Sequence, residues 1–372
     1  MWFLTVIFKN LLRRRTRSLL TVIGIAVGVA AVVTMTAIAW GFEKSWIKAY
    51  IARGTDLSVT KTTSKSPMPL PFDSSVEREL QNLPGVQASA GLLTDFMGIE
   101  ESPGMVIFGW ETDSFLWEHL KLTAGRWPVP GEKTVVLGSI AAELLDKKAG
   151  SKVQIDVHEF TVCGIFESSA LVENGAVIMT LPQMQDLTEN PGKVNFVNLR
   201  LEPGSTEATL LSYKQLIKTK FPGFSAFQAG ELATQNTGVL LTKAMGWATS
   251  VIALVVGAIG MMNTVFMSVF ERMHEIGVLL ALGWRRSRIM RMILCESLLL
   301  SIVGGVVGAS TGALAVRLLE MTSALRGRIE GDLSPSLFGM AFLVAVGLGL
   351  LGGLYPAWRG SRMSPALALR AE

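Results

Sequence analysis

Three histidines, two cysteines and one Gly-Lys pair are the residues best suited to do chemistry here, and their spacing supports none of the common sites. A phosphate-binding loop needs G-x-x-x-x-G-K-[ST], in which backbone amides cradle phosphate while the lysine reaches the terminal groups. Gly192-Lys193 is followed by Val194 instead, so nucleotide hydrolysis by that loop is not expected. A zinc site needs several Cys, His or carboxylate ligands at close spacing. His119, His158 and His274 are scattered, and each reads as a solvated polar residue: in a surface segment, a hairpin turn and a short loop. No G-x-S-x-G elbow and no Cys–His motif is present. Cys163 and Cys295 offer no disulfide framework. No catalytic residue and no metal ligand is expected.

A different kind of chemistry is written in Glu271 to Arg291. This stretch has a charged start, apolar Ile276, Leu279 and Leu280, a break at Gly283 and a basic tail. It is too short for a domain. A short amphipathic helix of this type is what a membrane subunit would offer to a groove on a soluble partner. Glycines are spaced for close helix contact: Gly24 and Gly28 form one G-x-x-x-G, and Gly304, Gly308 and Gly312 form a double one. A pair of copies is the economical assembly for so few spans.

The elements that must position these residues are membrane helices. At 49% hydrophobic and 17% charged, the chain has too little polar surface to be wholly water-soluble. About 20 apolar residues cross the hydrocarbon, and four runs qualify: residues 18–40, 244–270, 292–316 and 333–358. The third includes Glu296, which reads as an interfacial residue about one turn from Arg291. Between the first and second runs lies 41–243, of ordinary soluble composition and long enough for its own core. Lys and Arg gather before the first run, in 271–291 and in the tail 359–372; the loop 317–332 holds fewer. The positive-inside rule then places both termini and 271–291 in the cytoplasm and 41–243 outside, in the periplasm of a cell with two membranes. The net charge of +4 is thereby a topology signal, and no nucleic-acid partner is expected.

Ala37-Ile38-Ala39 resembles a signal-peptidase site, but the apolar run before it is longer than the about 7–15 residues of a signal h-region. Residues 1–17 read either as an amphipathic helix on the inner leaflet, touching lipid, or as an extension of the first span.

Within 41–243 two strand–helix–strand units echo each other. Strands at Asp56–Lys61 and Phe196–Leu201 precede helices at Ser74–Leu83, with a Ser74/Glu77 capping box, and at Ser205–Phe221. Pro84-Gly85 and Pro222-Gly223 stop the helices, and strands follow from Val86 and Phe224. A strand-rich lobe, about 100–187, is inserted between the units, with strands at Met105–Trp110, Thr134–Leu137, Val153–Val157 and Phe160–Phe166. Its hairpin turns at His158-Glu159, and one short helix, Ser139–Asp146, interrupts it. The expected fold class is four transmembrane helices with a large two-lobed α+β extracytoplasmic domain between the first and second.

Glu271-Arg272-x-x-Glu275-Ile276-Gly277-Val278-x-x-Ala281-Leu282-Gly283 resembles the coupling-helix signature of the MacB-like ABC permeases, which include macrolide exporters and lipoprotein-releasing permeases. Leu19-Leu20-Thr21-x-x-Gly24-Ile25-x-x-Gly28 is similar to that family's first span, and Pro356-Ala357 with Arg362, Pro365, Ala368, Leu369 and Arg370 to its C-terminal signature. Leu83-Pro84-Gly85-Val86, Gly125-Arg126 and Val136-Leu137-Gly138 sit where its recurrent short motifs stand. Leu280 and Leu367 depart from positions usually basic and acidic. The resemblance implies a non-enzymatic permease of the mechanotransmission type in the inner membrane. It would bind no cofactor itself, ATP and Mg²⁺ being used by a separate ABC ATPase docked on Glu271 to Gly283. A second permease copy, identical or paralogous, would face it through spans one and two, around Gly24 and Gly28. An adaptor and an outer-membrane channel would extend an exporter. Lipoprotein release, and FtsX-like control of a cell-wall hydrolase, are the alternatives.

Overall fold

The computed structural model describes residues 15–61, 69–100, 102–235, 237–322 and 330–363. Most of the basic N-terminal segment and Pro365 to Arg370 lie outside them. The chain forms two compact units. One comprises Met1–Trp40, Lys243–Leu319 and Gly331–Glu372; the other comprises Gly41–Thr242 and Glu320–Glu330.

The first unit is built from four long apolar helices, Arg15–Ala52, Thr237–Glu271, Arg286–Met321 and Pro335–Ser361. Each is long and apolar enough to cross a membrane. The first helix continues beyond this unit, and Ala37 and Ala39 are buried within it. Small residues decide the packing. A side chain at Gly304 would meet Ile25, one at Gly308 the Ala26 carbonyl, and one at Gly312 the Ala30 carbonyl. These contacts advance together along both helices, so the first and third run parallel. Ser297 packs on Gly353, Ser301 on Gly349 and Gly305 on Ala345, so the third and fourth run antiparallel. Gly352 meets Met261 and Gly360 meets Val269, aligning the fourth with the second. One end of the bundle therefore collects Arg272, Arg285, Arg286, Arg288, Arg359 and Arg362.

The triple-glycine stripe of the third helix is thus spent within one chain, against the first helix. Gly24 has open space where a side chain would stand, and a Cβ added at Gly28 would stand 3.4 Å from the Ala253 carbonyl oxygen. Gly308→Val is accordingly expected to destabilise the bundle by about 1–3 kcal/mol through overpacking, and Gly24→Val to change it by less than about 0.5 kcal/mol. Thermal unfolding of both variants in detergent measures the contrast.

The second unit is an α/β domain. Its strands are β1 Leu57–Lys61, β2 Phe72–Asp73, β3 Val86–Ile99, β4 Ser102–Trp110, β5 Lys121–Gly125 and β6 Thr134–Gly138. They continue with β7 Lys152–Ile155, β8 His158–Glu167, β9 Val177–Thr180, β10 Lys193–Val194, β11 Phe196–Leu201 and β12 Phe224–Phe227. Ten strands join in one sheet in the order β12-β1-β11-β3-β4-β9-β6-β8-β5, with β7 bonded to both β3 and β8. The circuit β3-β4-β9-β6-β8-β7 therefore closes on itself, filled by Ile99, Ile107, Leu137, Val153, Val162 and Val177.

The two strand–helix–strand units form as expected, with helices at Ser75–Gln81 and Glu207–Lys220. The lobes, however, are not separate sheets. Strand β3 belongs to both, since Leu92 pairs with Phe196 of β11 on one side and Trp110 of β4 on the other. A strand of this length pairs with two partners in succession along its edges. Its core is likewise shared, running from Leu57 and Ile217 to Val135 and Val177.

Three local expectations are corrected. Asp73, not Ser74, accepts the hydrogen bond of the Ser75 amide, while Ser74 makes no side-chain cap and Glu77 turns inward to accept from the Ser89 hydroxyl at 3.2 Å. The β7–β8 hairpin turns at Asp156-Val157, where Asp156 takes a positive φ, leaving His158 and Glu159 in the strand. Short helices also form at Leu171–Asn174 and Leu181–Leu187, besides Ser139–Leu144.

Candidate functional site

Residues 273–281 form a nine-residue helix, Met273–Ala281, between the second and third long helices. Its stop is a hydrogen-bonded reversal: the Gly283 amide donates to the Leu280 carbonyl and the Trp284 amide to that of Leu279, both at 3.1 Å. This arrangement needs a left-handed residue just past the helix, and Gly283 supplies it with φ 84°. The basic tail expected after Gly283 is helical from Arg286 onward, as the opening turns of the third long helix.

One face of the short helix is inside the bundle. Ile276 and Gly277 are buried, and Leu279 and Leu280 pack against the same core. The other face, His274, Glu275, Val278, Ala281 and Leu282, is exposed, as is Glu271. Leu282 is 74% exposed. These positions follow i, i+3, i+4, i+7 spacing, the footprint by which an amphipathic helix enters a groove.

Arg272 anchors the helix. Its side chain is largely buried, with Nε donating to Glu275 Oε2 at 3.2 Å and Nη1 to Glu296 Oε2 at 2.8 Å. Glu296, read from sequence toward Arg291, is instead bound across two helices. The anchor ties the start of the short helix to the third long helix, and a charge-assisted pair away from solvent is stiffer than a surface one.

A second constellation, missed in the sequence, lies in the α/β unit. Arg53 follows the first long helix and is 1% exposed; its Nε donates at 2.7 Å to Glu173, which is wholly buried. Glu173 also meets His119 Nε2 at 2.8 Å and accepts from the Ser168 hydroxyl. The guanidinium lies over Phe108, Trp110 and Tyr50, at 4.6, 5.2 and 5.6 Å from the ring centroids. Burial alone would push the Glu173 carboxyl up. The Arg53 charge, the His119 contact and the Ser168 hydroxyl outweigh it and hold the pKa down at about 2. His119 is therefore a half-buried hydrogen-bond partner of Glu173 and not a solvated surface residue. The Val172 amide donates to Ser45 Oγ at 3.1 Å, fastening the same helix end to the same segment.

Among the described residues no group of three or more His, Cys, Asp or Glu is placed to hold a metal. Cys163 and Cys295 are both free thiols.

The model of the MacB-like periplasmic core domain matches residues 18–212, more than half of the chain, and that of the FtsX-like permease C-terminal region matches 247–365. The chain belongs to the MacB-like, FtsX-related family of ABC transporter permeases. Similar to this MacB-like permease is an uncharacterized ABC transporter permease of Methanocaldococcus jannaschii, 28% identical over 99% of this chain and 98% of its own length. The macrolide export ATP-binding/permease protein MacB of Nitrobacter winogradskyi is 30% identical over 97% of this chain, which spans 59% of that relative. The periplasmic region of MacB from Actinobacillus actinomycetemcomitans aligns with 48% of this chain at 13% identity and a TM-score of 0.40. For a MacB-like permease, the exposed face ending at Leu282 falls in the FtsX-like C-terminal match.

Proposed function

We propose that the chain is the membrane subunit of an ABC transporter of the mechanotransmission type, driven by a separate ABC ATPase. The supporting observation is the short helix Met273–Ala281, whose exposed outer face runs from His274 and Glu275 to apolar Val278, Ala281 and Leu282 while Arg272 fixes its root to Glu296. The ATPase grips that face. Its closure on ATP and Mg²⁺ pushes the helix, and the Arg272–Glu296 pair passes the push to the third long helix. The third helix interlocks with the first through Gly304, Gly308 and Gly312, and the first runs unbroken to Ala52. Motion thereby reaches residues 41–242, which act on substrate at the outer side of the inner membrane.

This route suits the bundle, whose core among the described residues is aliphatic, with Gly and Ser at the closest helix contacts, rather than a charged pore lining. Both termini are cytoplasmic in this reading, and a second permease copy meets the chain along spans one and two, where Gly24 stays open. A periplasmic adaptor and an outer-membrane channel complete an exporter. Affinity isolation of the tagged chain from its native membrane, without crosslinking, is expected to bring down an ABC ATPase in near-equal amount. Isolation of the folded chain with no ATPase contradicts the proposal.

A further inference from the structure

The fourth long helix carries an order of residues that its packing explains only in part, at Tyr355, whose ring meets Phe266 edge-on at 5.2 Å. Its buried side is made of Gly352, Gly353, Pro356, Ala357 and Gly360. Its other side presents Leu351, Leu354, Tyr355, Trp358 and Arg362, all exposed and spaced as one helical stripe. Over about three turns the stripe passes from aliphatic to aromatic to cationic. Tyr355 stacks with Trp358 at 6.3 Å between centroids, and the Arg362 guanidinium lies 4.7 Å over the Trp358 ring. Arg359 is exposed beside it. Neither arginine has a carboxylate partner among the described residues.

The same end of the bundle repeats the device. Arg288 lies 5.7 Å over the ring of Trp284, and the third helix opens with no acidic residue in its first turn, where the helix dipole favours one. Cations at that position want an anion from outside the chain. A soluble acidic partner would answer the charge but not the aliphatic and aromatic turns leading up to it. A lipid leaflet answers all three in order, because hydrocarbon meets the leucines, the interface takes Tyr and Trp, and phosphate takes arginine.

We propose that Arg359 and Arg362, backed by Tyr355 and Trp358, hold the phosphate headgroups of anionic phospholipids, with Arg288 on Trp284 as a second contact of the same kind. Stacking on the indole leaves the guanidinium donors free for phosphate oxygens.

The full chain in neutral detergent is titrated with phosphatidylglycerol or phosphatidylcholine of identical acyl chains, and bound lipid is counted by native mass spectrometry. Wild type is expected to retain phosphatidylglycerol preferentially. Each of Arg359→Gln and Arg362→Gln should weaken it about fivefold, while Arg359→Lys/Arg362→Lys keeps the preference. Equal retention of both lipids by wild type, or an unchanged preference in the double glutamine variant, overturns the proposal. So does a double variant that keeps its lipid preference but, in a separate affinity isolation from native membrane, loses an ABC ATPase, which assigns the arginines to a protein contact. No ATPase enters the titration, so its failure leaves the transporter reading untouched.

Discussion

Leu282→Glu is expected to abolish capture of the ABC ATPase while leaving the chain folded and membrane-inserted. Leu282 is 74% exposed, so a carboxylate there costs the free protein almost nothing. In a docked complex the same carboxylate would sit in an apolar groove without a partner, and truncating such an anchor costs at least about 2 kcal/mol, or thirtyfold in affinity. Ile276→Glu should also lose the ATPase, but for another reason. Ile276 is 2% exposed and packs among the four helices, so charge there breaks the bundle itself. Detergent-solubilised yield and thermal unfolding separate the two: normal for Leu282→Glu, impaired for Ile276→Glu. Undiminished ATPase capture by Leu282→Glu would remove the short helix from the interface.

The second large effect concerns Glu173. Glu173→Gln keeps the size of the side chain but leaves the Arg53 guanidinium buried without a counter-charge. Breaking a buried pair from one side costs about 3–5 kcal/mol, and in the α/β unit this should lower Tm by roughly 10 °C or more. Arg53→Met combined with Glu173→Leu should recover most of the loss, because two apolar groups of similar volume carry no desolvation cost. The sign of the pH effect follows from the depressed carboxyl. Its pKa falls from an ordinary 4.5 to about 2 on folding. The contribution to stability is therefore complete above about pH 4.5 and is lost as pH falls toward 2. Wild type should soften in that window, and the Arg53→Met/Glu173→Leu variant should lack that part of the acid response. Unfolding curves between pH 2 and 6 provide the comparison, and identical acid profiles for the two would contradict the assignment.

Features that depend on local pattern were legible in the residues alone. Apolar run length marked the four long helices, and alternation with Pro-Gly punctuation marked β1, β3, β11, β12 and the helices between them. The short helix Met273–Ala281 and its Gly283 stop came from the same kind of signal. What escaped depends on residues far apart meeting in space. Arg53 and Glu173 are separated by 120 positions, and nothing in Ile51-Ala52-Arg53-Gly54 or Val172-Glu173-Asn174 hints at a buried charge. Their meeting requires β4, β6 and β9 to be in register, which brings the Leu171–Asn174 turn under the first helix. The one available hint was composition: Trp110, Trp117 and Trp127 surround His119 in sequence, and such a stretch rarely leaves its histidine in solvent. Glu296 was read toward Arg291 because they share a helix, whereas the bond crosses to Arg272 on another element. The sheet's unity was hidden for a related reason. An internal echo divides the sequence into lobes, but a strand as long as β3 serves both.

Cysteine labelling with a membrane-impermeant maleimide tests the account most directly, using single cysteines in place of His274 and of Val157 with Cys163 and Cys295 changed to serine. His274 and Val157 are both exposed in the fold, so only the membrane decides their access. The account predicts that Val157→Cys is labelled in cells with a permeabilised outer layer, and His274→Cys only after the inner membrane is opened. Labelling of both from the same side would leave the ATPase nothing to grip and contradict the account.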